Sequence, residues 1–169
     1  MDAAALRAMQ APIKDRYKTD PKAAVITLKA KGSIENDGIA CKVETGRALA
    51  VAGLHPATGG SGLELCSGDM LLEALVACAG VTLKSVSTAL DVPLKTGDVS
   101  AEGDLDFRGT LGVDKEAPVG FAEIRLRFDV GTDAPQDKLD LLLKLTERYC
   151  VVYQTIKNGP KVSVAMHRV

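Results

Sequence analysis

No tryptophan occurs in this sequence, and phenylalanine and tyrosine contribute only three residues each. Aromatic platforms for stacking nucleic-acid bases are therefore scarce. A charge surplus is missing as well: 21 Lys and Arg face 22 Asp and Glu, for a net charge of -1. Neither nucleic acid nor an anionic membrane surface is favoured as a partner. None of the four cysteines, Cys41, Cys66, Cys78 and Cys150, forms a CxxC pair or has a histidine close by, which argues against a zinc site. The start, "MDAAALRAMQAPIKDRYKTD", lacks the basic region and continuous apolar stretch of a secretion signal. The longest apolar run, around "MLLEALVACAGVTL", is interrupted by Glu73 and is short for a membrane span. These readings predict a soluble cytoplasmic protein whose cysteines are mostly thiols.

What remains fits one domain of ordinary size, since 169 residues are enough to bury a real core. Residues 1–22 read as an N-terminal helical extension and linker, and 23–169 as a single domain. From Ala23 to Leu54, "AAVITLKAKG", "GIACKVETG" and "RALAVAGL" partly alternate apolar and polar side chains, which predicts an antiparallel three-strand meander. Asn36-Asp37-Gly38 is suitable hairpin turn chemistry. "HPATGGSG" is a loop by composition.

Beyond it, Ser67 is placed to cap a helix, with Asp69 in its first turn. From Met70 to Val81 nearly every residue is apolar. A helix apolar all round is enclosed by protein on more than one side, so this one is expected to be central and to end before Pro93. Residues 98–107 and 119–130 alternate at period two and predict a hairpin. A second helix then starts with Asp133 as cap and Pro135 in its first turn, burying Leu139, Leu142, Leu143 and Leu145. "KVSVAMHRV" closes the chain as a strand. The order βββ-α-ββ-α-β is an α+β architecture, with antiparallel sheets around a central buried helix.

Two cysteines stand out by position. Cys78 lies deep in the central helix, and Cys150 lies where the second helix ends or bends. A new helical turn beginning at Cys150 would aim unpaired N–H groups at its sulfur and lower its pKa. One continuous helix over 135–157 would leave Cys150 mid-helix and inert, which is the usual fate of a buried cysteine.

"SGDMLLEALVACAG" and "ERYCVVYQTIKNG" together resemble the two motifs of the OsmC/Ohr family. The first corresponds to a Ser/Thr-x-Pro-x-Glu-Leu-Leu start leading into an alanine-rich helix with a reactive cysteine. The second corresponds to a Cys-Pro-Val step followed by a polar helix. The likeness spans about residues 22–168. It implies an intertwined homodimer that reduces organic hydroperoxides, with Cys78 as the peroxidatic and Cys150 as the resolving cysteine. An external dithiol, a lipoyl-protein or thioredoxin-type reductant, would restore both, with no metal or bound organic cofactor.

The motifs also depart from the family pattern. Ser67 stands at the proline place, Gly68 at the glutamate place, and Val151 at the second proline. Of the glutamate-arginine pair that activates the family's thiolate, Asp69 is the carboxylate that remains, and Arg47 is the arginine of the N-terminal strands. Nine residues carry Asp69 to the opposite side of the helix from Cys78, which suits it to capping. Arg148, two positions before Cys150, is a further candidate for lowering that thiol's pKa. Cys66 at the helix start is a supplementary thiol, Cys41 a passive strand residue, and His55 and His167 isolated imidazoles. Tyr153 reads as core in preference to pocket lining. Loss of the pair fits an alternative, a catalytically silent dimer that binds an apolar small molecule at the subunit interface.

Overall fold

The computed structural model describes residues 2–5, 7–8, 10–11, 19, 31–34, 40–44, 49–112 and 114–168; for 31–34, 40–44 and 49 it describes the backbone. Strands β1 (Lys31–Ile34), β2 (Ala40–Glu44) and β3 (Leu49–Gly53) form the expected antiparallel meander. The Asn36-Asp37-Gly38 turn, most of the first run and Arg47 lie outside the described residues. An unforeseen strand, β4 (Leu65–Cys66), joins the sheet parallel to β3, with Ala52 opposite Leu65 and Gly53 opposite Cys66. Parallel neighbours cannot share a tight hairpin; here the glycine-rich loop makes the return, with a 3-10 turn at Pro56–Thr58. His55 caps that turn, its Nδ1 accepting the Ala57 N–H at 3.0 Å. Gly60 is required because a Cβ there would collide with the Leu54 carbonyl.

Helix α1 (Ser67–Ala89) follows directly, and its N-cap is Cys66, which makes no side-chain capping bond. The expected cap, Ser67, is corrected by one position: pairing within β4 keeps Cys66 extended, and Ser67 is already helical. Asp69 does fall in the first turn. At the other end Asp91 adopts a left-handed conformation (φ 56), and the Val92 N–H reaches the Ser87 carbonyl at 2.9 Å. This is a Schellman-type stop just before Pro93.

With 23 residues, α1 is long and apolar enough to match a membrane span in length and composition; the apolar run by itself understated it. Its packing is that of a core helix. Leu75, Ala79, Leu83 and Ser87, spaced four apart, are buried, placing them on one face. The expectation of enclosure all round meets a difference here, because in the single chain Val81 is 73% exposed and Leu71 is also exposed.

Strands β5 (Thr96–Leu105) and β6 (Phe121–Gly131) form the predicted hairpin, with Val99 opposite Phe128 and Ala101 opposite Leu126. Between them sits the one-turn helix α2 (Phe107–Thr110), capped by Asp106. The inner side chains Val99, Ala101, Ile124, Leu126 and Phe128 pack against Leu75, Ala79 and Cys150. On the outer side Arg125 bonds Asp104 at 2.8 Å.

Helices α3 (Gln136–Tyr149) and α4 (Val151–Asn158) cover the core from the other side. The cap of α3 is Pro135, whereas Asp133, expected there, pairs with Lys95. The buried face of α3 runs through Leu142 and Thr146, and Leu143, expected in the stripe, is 44% exposed. Residues 159–168 form no strand, which corrects the expected closing strand; Val162, Val164 and Met166 are exposed. Alternation prepares a strand, but its N–H and C=O groups need a neighbouring edge, and among the described residues none pairs with this segment.

Replacing Leu75 with alanine is expected to cost about 2–5 kcal/mol of stability, because it removes buried apolar contact and leaves a cavity. Leu63→Ala, at an exposed position, should change stability by no more than about 0.5 kcal/mol. Urea denaturation of both variants checks the ranking.

Candidate active site

The decisive local feature is a one-residue interruption between α3 and α4. Cys150 is at once the C-cap of α3 and the N-cap of α4, with φ -73 and ψ 107. Its N–H closes α3 on the Thr146 carbonyl at 2.9 Å, and its carbonyl opens α4 by accepting the Gln154 N–H at 2.9 Å. Breaking a helix frees carbonyls that need partners. The Gln154 side chain supplies one, its Nε2 donating to the Glu147 carbonyl at 2.8 Å across the junction. The continuous-helix alternative is thus set aside, even though Val151 stands where the resembled motif has proline.

At the start of α4 the N–H groups of Val151 and Val152 lack intrahelical acceptors, as in any first turn. They face the Cys78 thiol of α1 and lower its pKa. The Cys150 side chain, only 1% exposed as a residue, packs in the same cluster as Cys78. Burial by itself would raise the Cys78 pKa. The Val152 N–H, the Cys150 thiol, the Val151 N–H and the Thr82 hydroxyl together outweigh burial and hold the thiol below the ordinary cysteine value.

Cys150 moves the other way. Burial is the main cause, and the neighbouring Cys78 adds to it against the N–H groups of Tyr153 and Val152, so its pKa is raised. The helix start expected to ionise Cys150 acts more effectively on Cys78. Arg148 does not reverse this: it is exposed in the last turn of α3, with its guanidinium 5.8 Å from the Tyr149 ring centre.

The structure brings Cys78 and Cys150 together and leaves Asp69 and Arg148 elsewhere, while Arg47 lies outside the described residues. Asp69 sits nine residues before Cys78, about 14 Å along the helix axis at 1.5 Å per residue. It lines a recess of about 330 Å³ with His55, Cys66, Gly68 and Asp104. At Gly68, the glutamate place of the motif, a Cβ would sit 3.4 Å from the Phe121 ring and 3.5 Å from Leu105. His55 stacks on Phe107 with ring centres 5.0 Å apart. His167 lies in the exposed terminal segment, and Cys41 lies in β2 opposite Ala52. Among the described residues no group of three His, Cys, Asp or Glu side chains is arranged to hold a metal.

A family model described as OsmC-like protein matches residues 60–165, well over half of the chain and inclusive of both thiols. The chain belongs to the OsmC-like family. Among solved structures, an OsmC-like protein from Mycoplasma pneumoniae superimposes with a TM-score of 0.65 at 13% identity, covering 79% of this chain and 89% of that one. An organic hydroperoxide resistance protein from Elizabethkingia anophelis gives 0.62 at 14% identity, covering 80% and 91%. The organic hydroperoxide resistance protein OsmC from Legionella pneumophila gives 0.61 at 15%, covering 80% and 92%. At these identities the likeness concerns the fold. No curated protein matches the chain.

Four contributors to this OsmC-like site are not announced by the sequence. Gln154 and the Val151 and Val152 amides act through backbone geometry, which side-chain identity does not announce. Thr82 carried a weak signal, a hydroxyl one helical turn after Cys78. Tyr153 plays both of the roles weighed for it. It packs on the Cys150 cluster and lines a cavity of about 460 Å³ with Leu75, Phe121, Phe128, Ile156 and Lys157.

Alkylation with iodoacetamide across a pH series, resolved by peptide mass spectrometry, tests the opposed shifts. The thiolate is the reacting form, so modification rises with pH through each pKa. Cys78 is expected to reach its plateau below the pH of an ordinary cysteine and Cys150 above it; the reverse order would contradict the assignment.

Proposed function

We propose that this protein is a thiol peroxidase that reduces organic hydroperoxides through Cys78 and Cys150. The observation that carries this reading is the Cys150 thiol and the first amides of α4 converging on the Cys78 sulfur. The Cys78 thiolate attacks the distal oxygen of the hydroperoxide. An S–O bond forms, the O–O bond breaks, and the leaving alkoxide takes a proton to become an alcohol. Cys78, oxidised by two electrons, is then a sulfenic acid.

Resolution follows from the same electrostatics. The charge on Cys78 helps to hold the Cys150 pKa up, and that charge disappears on oxidation. Cys150 can then lose its proton, attack the Cys78 sulfur and displace water, leaving a disulfide. An external dithiol of lipoyl or thioredoxin type returns both thiols and is itself oxidised. No bound cofactor takes part in this scheme, and a cytoplasmic, reducing location suits it.

The working form in this proposal is an intertwined homodimer. Leu71, Ala74, Ala77 and Val81 form an exposed apolar stripe on α1, of the kind a second copy would cover. Sedimentation is expected to give a dimer for the natural chain and a monomer for Val81→Glu.

Gly68, with Phe121 and Leu105 against it, and the 460 Å³ cavity favour a second reading, a dimer that binds an apolar small molecule without turning over peroxide. One experiment separates the two. Stoichiometric tert-butyl hydroperoxide is expected to yield a Cys78–Cys150 disulfide, seen as the loss of two hydrogens by mass spectrometry. Cys78→Ser should abolish peroxide consumption, and Cys150→Ser should stop at the sulfenic acid. Unchanged thiols after treatment would reject the peroxidase and leave the binding protein.

A further inference from the structure

In an unbroken helix the Val151 N–H would bond the Glu147 carbonyl, four residues back. Here that carbonyl takes the Gln154 side chain, whose Nε2 donates to it at 2.8 Å. Gln154 therefore competes for the acceptor that would draw the Val151 N–H back into α3. The glutamine is itself held at both ends. The Asn158 Nδ2 donates to the Gln154 Oε1 at 2.8 Å and to the Gln154 carbonyl at 3.0 Å, and the Gln154 N–H meets the Cys150 carbonyl at 2.9 Å. Val152 and Tyr153, in the first turn of α4, pack with Cys78 on the Cys150 cluster, which sets what that turn faces. A proline at 151 would end α3 unaided, because it has no N–H to return to Glu147. Valine keeps the N–H, so the break needs another device.

We propose that Gln154 is a positioning residue of the thiol site: by standing in for the Val151 N–H on the Glu147 carbonyl, it keeps α3 and α4 separate and the first turn of α4 directed at Cys78. The inference rests on Cys78 being the reacting thiol. Without the Gln154 donor, the Glu147 carbonyl recaptures the Val151 N–H, α3 lengthens, and that amide leaves Cys78. Among the described residues, the titratable groups around the junction are Cys78 of α1, Cys150, Glu147 and Arg148 of α3, and Tyr153 and Lys157 of α4. From β6, Glu123 lines the cavity that Glu147 and Lys157 also line. Exchanging Gln154 for a neutral side chain alters none of these charges. A change at the Cys78 thiol then reports the placement of the amides.

The full chain and its Gln154→Met variant should be alkylated with iodoacetamide across a pH series, reading the Cys78 peptide. Methionine matches glutamine in length and donates no hydrogen bond. The Cys78 midpoint is expected to move to higher pH, with alkylation at neutral pH slowed by about 3- to 10-fold, part of what one hydrogen bond to a charged group contributes. Val151→Pro supplies the second arm. It removes the N–H that the Glu147 carbonyl would recapture, so adding Gln154→Met to Val151→Pro should slow alkylation by no more than about 2-fold. A glutamine that only braces the fold would lower the urea midpoint and leave the Cys78 profile unmoved. If methionine disturbs folding, as judged by circular dichroism, Gln154→Ala replaces it with a strong helix former. An unshifted Cys78 midpoint in a folded donor-free variant overturns the proposal, and so does an equal shift with and without Val151→Pro. Alkylation does not require turnover, so a Gln154-dependent midpoint in a chain that never consumes peroxide would uphold this inference while rejecting the peroxidase reading.

Discussion

The arrangement of the two thiols depends on where one helix stops and the next begins. A helix carries unsatisfied amides at its start wherever that start is placed. Here the start is placed against the side of α1, because Cys150 turns the chain in a single extended residue and Gln154 satisfies a carbonyl that the turn exposes. Had α3 run on through Tyr153, the amides of Val151 and Val152 would be committed to the ladder. Cys78 would then lose two of the groups that oppose the effect of burial on its pKa.

The electrostatic design that results is economical in charge. Among the described residues, the donors that act on Cys78 are two amides, a thiol and a hydroxyl, all neutral and held on the helices or at the α3–α4 junction. Such groups need no counter-ion and carry a smaller desolvation cost than a buried guanidinium would. The outer face of β5–β6 shows the contrasting regime, where Arg125 and Arg127 pair with Asp104 and Asp129 in solvent. Pairs of that kind add little to stability.

The coupling between the two sulfurs gives the pair an order of events. A shared proton favours one ionised sulfur and disfavours two, and the geometry selects Cys78 for the charge because more donors converge on it. Whichever reading of the activity holds, oxidation of Cys78 removes that bias. The recess at the N-terminal end of α1, with Cys66, Asp69 and His55, stays outside this circuit, because about 14 Å of helix separates Asp69 from Cys78.

Much of the architecture is legible from residue order alone, since it is written in periodicity and short-range chemistry. The meander, the long apolar helix, the hairpin and the α+β order follow from alternation at two and at 3.6 residues, and the pairing of Cys78 with Cys150 followed from two motifs resembling one family. Local pattern does not reach the rest. Ser67 and Asp133 look like caps, yet strand pairing at Cys66 and an ion pair with Lys95 take precedence. "KVSVAMHRV" alternates like a strand, yet a strand exists only beside another edge. The resemblance named Cys78 as the nucleophile, but the physical reason for its lowered pKa belongs to tertiary structure: a helix N-terminus acts through space on whatever lies in front of it, and the packing of α4 on α1 puts the sulfur of Cys78 there.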